Sequence, residues 1–352
     1  LNLVAALVAL NIVLLAERYG HTVGAALALA ATLALANPLW SYAYLIFPEM
    51  FAALAIVYAY RRARERTNTA WQWLGCGLAL AILPWLHARF IPAVLGLALI
   101  LLPGFWREPA WRRRLAVLLP PLLAAVALLV FYLYIYGKPF PDTRDHAGFS
   151  DLAGTVNGFF GLFLDEQWGL LIHAPIYLLA AMTGGVLWRR RRGDALALLA
   201  PVVPYLLLVA YYRVWWGEWG PPARYLAPIA PLAIAPLACW TATTRHPRVA
   251  AAITALFALP GFAIMAGFLT APQLMYNQPD GHNALFTAWA AHFDRVWPKR
   301  IPSFQFYALS PVRLRAVWSV VLIWLVAIPG IAGFWAARPD SAQAATKRRA
   351  KI

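Results

Sequence analysis

Apolar residues come in long uninterrupted runs, broken by short basic connections and a few longer polar loops. A helix needs about 20 residues to cross a hydrocarbon core, with a range of roughly 17 to 25. Windows of that kind fit at 1–16, 22–38, 46–61, 69–85, 90–105, 115–136, 168–188, 195–212, 225–242, 249–270 and 316–337. Strands do not fit, because the runs are continuously apolar instead of alternating. The pattern predicts an all-α fold, a polytopic transmembrane helix bundle of about eleven spans.

The connections predict an orientation. If the first segment ends in the cytoplasm and the sides then alternate, twenty of the 30 basic residues fall inside, mostly in short connections. Such a bias is the usual topology signal. The four-arginine run 189–192 reads as one such anchor. The acids fall the other way, with Glu49, Asp142, Asp145, Asp151, Asp165, Glu166, Glu218, Asp280 and Asp294 outside. Acids do not set topology, so the outer loops are either merely polar or carry chemistry. Two of them, 137–167 and 271–315, exceed a plain connection. Their aromatic stretches GFFGLFLDEQWG and NALFTAWAAHFDRVW predict interfacial helices on the outer leaflet.

Composition supports a membrane protein. The chain of 352 residues is 62% hydrophobic and 12% charged, with a mean hydropathy of +0.63. These values exclude a water-soluble globule, a disordered chain and a disulfide scaffold. The 17 Trp and 15 Tyr suit membrane interfaces. A net charge of +16 might suggest nucleic acid, but its carriers sit between apolar runs and form no basic face. Cys76 and Cys239 lie inside apolar segments and read as small buried hydrophobes. The expected organisation is one transmembrane domain over 1–337 and a basic cytoplasmic tail over 338–352. Residue 1 is Leu and opens an apolar run with no basic stretch before it. That is not the form of a signal peptide, and the reading is a fragment without its N-terminal portion.

Candidate chemistry gathers on the outer side. The densest cluster is YYRVWWGEWGPPARY, residues 211–225, with Arg213, Trp216, Glu218, Arg224 and Tyr225. Its structural reading is an aromatic belt with a tight Gly-Pro turn. Its functional reading is a site for a phosphorylated lipid headgroup, since arginine forks suit phosphate and rings cover a sugar face or an isoprenoid chain. Glu49 follows Phe47-Pro48 at the outer start of a span. It either complements the helix dipole or faces a cavity, as ionisable groups at the edge of hydrocarbon do. Arg89, in LPWLHARF, either snorkels to headgroups or makes a second phosphate contact. His87 has no partner at metal-ligand spacing. Asp165 and Glu166 could serve as acid and base or bind a cation, yet neighbouring helical residues diverge, and Asp165 also fits an N-cap. Lys138, Asp142, Arg144, Asp145 and His146 are solvated by default. No Walker loop, dinucleotide glycine motif, Ser-His-Asp spacing or zinc pattern is present.

Four stretches, in order, carry a resemblance: PLWSYAYLIFPEMFAAL, LPWLHARFIPAVLGLAL, FLDEQWGLLIHAPIYLLA and WWGEWGPPARYLAPIAPL. With them the chain resembles the C-type membrane glycosyltransferases, in particular members similar to glycosyltransferase family 39 and polyprenyl-phosphate-mannose protein mannosyltransferases. The resemblance implies a transferase in the plasma membrane, with its active face outside the cytoplasm. It would move a hexose such as mannose from a polyprenyl-phosphate donor to a hydroxyl of a protein, lipid or glycan. It implies a supporting role for Glu49 near the acceptor, and lipid-phosphate contacts for Arg89 and Arg224. On the chemistry of the residues themselves, Arg213 is a further candidate for the phosphate, and Tyr225, Trp216, Glu218, Asp165 and Glu166 for the donor and acceptor cavity. In the family the main base is an Asp in the first outer loop, ahead of the segment matching 1–16, so this fragment is expected to be inactive by itself. Members of the family differ in divalent-metal dependence, and no cofactor is assigned. Two other classes compete: a transporter or flippase for a lipid-linked sugar, and a structural subunit. The first would show repeated halves and ionisable groups at mid-membrane. The second leaves the acidic outer bias and the long outer loops unexplained.

Overall fold

The apolar runs fold as helices, and the polar residues at their ends fix where each begins. The structure, a computed structural model, describes residues 1–139, 148–276, 280–292 and 301–304. The helices in chain order are α1 (Asn2–Glu17), α2 (Val23–Ala34), α3 (Leu39–Ala43), α4 (Glu49–Ala63), α5 (Ala70–Leu86), α6 (Ile91–Arg107) and α7 (Trp111–Tyr136). There follow α8 (Leu152–Leu164), α9 (Leu170–His173), α10 (Ile176–Arg190), α11 (Arg192–Tyr211), α12 (Ile234–Thr243), α13 (Pro247–Thr270) and α14 (Ala284–Ala290). Thr22 and Asp151 accept backbone N–H groups at the starts of α2 and α8. Thr69 and Gln72 form a reciprocal capping box on α5. Among the described residues there is no strand, only an isolated antiparallel bridge between Phe149 and Tyr212.

The all-α class holds, and four of the described stretches are long and apolar enough to cross a membrane: Ala88–Arg107, Trp111–Tyr136, Arg192–Tyr211 and Pro247–Thr270. Five further apolar helices are shorter: Asn2–Glu17, Val23–Ala34, Ala70–Leu86, Leu152–Leu164 and Ala230–Thr243. Hydropathy counts apolar residues and is blind to breaks in the backbone. The window 168–188 breaks after α9, at Ala174-Pro175, because proline cannot donate to the preceding turn. The window 225–242 opens with two 3₁₀ turns, Arg224–Leu226 and Ala230–Ala233, before α12 begins. Residues 158–164 of the first aromatic stretch belong to α8 and 284–290 of the second form α14, while 293–297 lie outside the described residues. The window 316–337 and the tail 338–352 lie outside the described residues, as do Asp142, Arg144, Asp145 and His146.

Packing runs α2 on α1, α1 on α4, α4 on α5 and α5 on α7, with α6 and α8 both against α11 and α10 against α12. Gly96 lets α6 approach α11 closely, since a Cβ there would strike the backbone of Ala200 and Pro201. α7 sits at the rim with only Val117 buried. The two tryptophans Trp168 and Trp215 and the tyrosines Tyr42, Tyr60 and Tyr205 are fully buried in the interior. One end of the bundle brings together the start of α4, the turn between α5 and α6, and the turn at Arg224. The opposite end holds the last turns of α1 and α4 and the first turn of α11.

Candidate functional site

Glu49 is the first residue of α4, where Pro48 stops the helix from extending backwards and the dipole favours an anion. Its carboxylate is completely buried. One oxygen, Oε1, accepts from Arg89 Nη2 at 2.6 Å and from Arg224 Nε at 2.9 Å. The other, Oε2, is buried with no hydrogen-bond partner, as is Arg89 Nε. Buried charged atoms almost always find partners, so an unpaired carboxylate oxygen beside two guanidinium groups is unusual for a cluster that only holds the fold.

Each arginine is held by its own turn. Arg89 lies in the 3₁₀ turn Ala88–Phe90, whose start is capped by His87: Nδ1 accepts the Arg89 backbone N–H at 3.1 Å. Its guanidinium carbon sits 4.5 Å from the centre of the Tyr225 ring and 5.1 Å from that of Phe90. Arg224 lies 4.3 Å over Phe47 and donates from Nη1 to the Gly217 carbonyl at 3.0 Å. The chain turns sharply before it, with positive φ at Gly217, Glu218 and Ala223. Three buried groups tie that turn down. Tyr42 Oη donates to Pro221 O at 2.8 Å, Asn37 Nδ2 to Pro222 O at 2.9 Å, and Tyr205 Oη to Tyr225 O at 2.7 Å. Arg89 is buried, while the Arg224 side chain keeps 20% of its surface exposed. One anion against two cations leaves the cluster with a net positive charge, and solvent reaches it through Arg224.

A second polar cluster lies beside the first. Asp165 is fully buried and spends both oxygens on backbone N–H groups: Oδ1 accepts from Gln167 and Trp168 at 2.8 and 2.9 Å, and Oδ2 from Phe304 at 2.6 Å. Burial pushes its pKa up to about 6 against the pull of those three donors. Glu166 Oε1 accepts the Asn283 N–H at 3.1 Å, and Asn283 Nδ2 lies 2.9 Å from His173 Nε2. Gln167 holds Asp280, Gly281 and His282. This turn therefore clamps residues 280–283 and 302–304 onto the bundle. It also touches the arginine site, because the Trp168 carbonyl accepts the Ala223 N–H at 3.0 Å.

Of the residues singled out in the sequence, Glu49, Arg89, Arg224 and Tyr225 come together. Asp165 and Glu166 stand in the adjoining clamp. Trp216 packs edge-on against Trp215, and Arg213 and Glu218 are exposed outside the triad. Asn37, Tyr42, Phe47, Tyr205, Gln167 and Asn283 complete the two clusters; Tyr42, Phe47, Gln167 and Asn283 lie in stretches that the sequence singles out, but none of the six was assigned a role there. Cys76 and Cys239 are buried and free. Among the described residues no three His, Cys, Asp or Glu side chains gather as a metal site. No protein-family model, no curated protein and no solved structure matches this chain.

Proposed function

We propose that the chain belongs to a membrane glycosyltransferase that uses a polyprenyl-phosphate sugar, with Arg89 and Arg224 as the phosphate contacts. The observation that carries this reading is the shared Glu49 oxygen, which orients two guanidinium groups toward one point and leaves the cluster with a surplus positive charge. In the reaction an acceptor hydroxyl oxygen forms a bond to the anomeric carbon while the bond from that carbon to the phosphate oxygen breaks. The electron pair leaves with the phosphate, and the arginines stabilise the charge that develops there. The acceptor proton must go to a base, which we do not assign among the described residues. Rings at Phe47 and Tyr225 flank the arginines and would cover the sugar or the first isoprene units.

About eleven spans, with the Glu49 end outside the cytoplasm, is the topology we favour. The surplus of arginine at the opposite end supports that orientation. A second reading, a binder or transporter of a lipid-linked sugar without transfer, draws on the full occupation of Asp165 by backbone donors, which leaves that carboxylate with no oxygen for chemistry.

Purified chain in lipid nanodiscs should bind undecaprenyl phosphate in preference to undecaprenol, and Arg224→Ala should weaken that binding about tenfold or more, as for a charge-assisted contact. Equal binding of phosphate and alcohol would remove the phosphate site. Binding without sugar transfer would leave the transporter reading.

A further inference from the structure

A groove of about 440 Å³ runs along the flank of the bundle between α2 and α13, at the end away from Glu49. That volume is within the range of roughly 300–1,000 Å³ typical of ligand sites. Ala251 and Ala255 line its trough, and the smallness of these side chains is what opens it. Leu259 and Phe262 mark the far end, while His21 and Thr241 mark the near end. The wall from Pro247 to Phe262 spans about 22 Å of helix, most of the roughly 30 Å depth of a hydrocarbon core. The groove is therefore long, narrow and apolar, with the proportions of a single hydrocarbon chain.

Its near end has the opposite character. The polar groups there are already satisfied: His21 Nε2 lies 3.0 Å from both Ala238 O and Thr241 Oγ1. Arg245 and Arg248 flank the start of α13, exposed and without an ion pair among the described residues. Arg248 stands one turn before Ala251, so both look out over the same face of the helix. The N-terminal N–H groups of α13 add to the positive field. Neither arginine lines the trough itself, but both are exposed within two residues of Pro247 at its near end. An apolar trough with two such cations beside it matches an amphiphile with a negative head.

We propose that this groove binds one acyl chain of an anionic membrane phospholipid, whose phosphate meets Arg245 and Arg248. The inference depends on the bundle lying in a membrane and not on sugar transfer, and it leaves the Glu49 site untouched. A neutral phospholipid would fill the trough but gain nothing from the arginines.

The test uses the purified chain from nanodiscs of equal phosphatidylglycerol and phosphatidylcholine, extracted into detergent and weighed by native mass spectrometry. One phosphatidylglycerol per chain should stay bound, with phosphatidylcholine retained about tenfold less, given the attraction of two arginines. Reversing the charges with Arg245→Glu and Arg248→Glu together should abolish that preference. Ala255→Phe, which fills the trough, should release the lipid while the arginines remain. Equal retention of the two lipids overturns the proposal, as does phosphatidylglycerol binding unchanged by either the charge pair or the filled trough. The charge pair is on the surface and keeps the test decisive if Ala255→Phe fails to fold.

Discussion

Two carboxylates at the same end of the bundle are both fully buried, and they are satisfied in opposite ways. Asp165 receives three backbone N–H groups from its own turn and from Phe304, so every strong donor around it is a fixed part of the chain. Glu49 receives no backbone donor. It takes two side-chain guanidinium groups on one oxygen and leaves the other bare. Backbone donors cannot turn to greet a ligand, whereas arginine side chains can exchange a carboxylate for a phosphate. The partner set thus separates a carboxylate that holds the fold from one that holds a site.

The contrast is sharpest under truncation. Glu49→Ala strands two cations next to apolar rings and should cost about 3–5 kcal/mol, the usual penalty for removing one partner of a buried ion pair. Denaturant unfolding in detergent would measure it. Glu49→Gln keeps an acceptor for one arginine and should fall between wild type and Ala. A loss under about 1 kcal/mol for Glu49→Ala, as expected of an exposed pair, would mean that water already screens the triad.

Asp165 should respond to pH instead. Its folded pKa of about 6 lies above the ordinary 3.8, so the folded protein binds the extra proton between those values. The sign follows: this group's contribution is greatest below about pH 4 and is lost as pH rises through 6, because the ionised form must pay for burial. Wild type should gain about 2 kcal/mol from this group between pH 7 and pH 4.5. Asp165→Asn should flatten that part of the profile. An unchanged slope in the variant would show that another group titrates there.

Much of this arrangement was legible one residue at a time. Apolar windows located the helices, and cost arguments picked out Glu49, Arg89 and Arg224. What the sequence could not reveal is that Arg89 and Arg224, 40 and 175 residues from Glu49, converge on one oxygen. The N-cap expected at Asp165 is not what forms: Asp165 ends α8 and its side chain closes the turn over Gln167 and Trp168, while Gly169 begins α9. Its bond to Phe304, 139 residues away, leaves no mark in the sequence. Tyr205 is neutral and sits in an apolar run, so nothing in its surroundings announces that its hydroxyl holds the Arg224 turn. The windows 168–188 and 225–242 ran across breaks for a related reason. The break at Pro175 and the 3₁₀ turns before α12 alter backbone path without altering hydropathy.

The smallest effect belongs to the opposite end, where a third carboxylate completes the comparison. Asp194, in the first turn of α11, faces Arg64 at 2.7 Å, Arg18 at 3.8 Å and Arg191 at 4.0 Å. It has more cations than Glu49, but they are 26, 22 and 44% exposed, so water and salt reach every pair. Asp194→Asn should cost about 1 kcal/mol at low salt. That cost should shrink toward zero in molar salt, where the screening length falls to about 3 Å. Most of the Glu49→Ala loss should persist at both ionic strengths, since Arg89 is only 3% exposed; the share owed to Arg224, as open to solvent as Arg18, should be screened with the Asp194 pairs. Equal salt sensitivity at the two ends would mean that the Glu49 triad is as wet as the Asp194 cluster, and its bare oxygen would then be hydrated like any surface carboxylate.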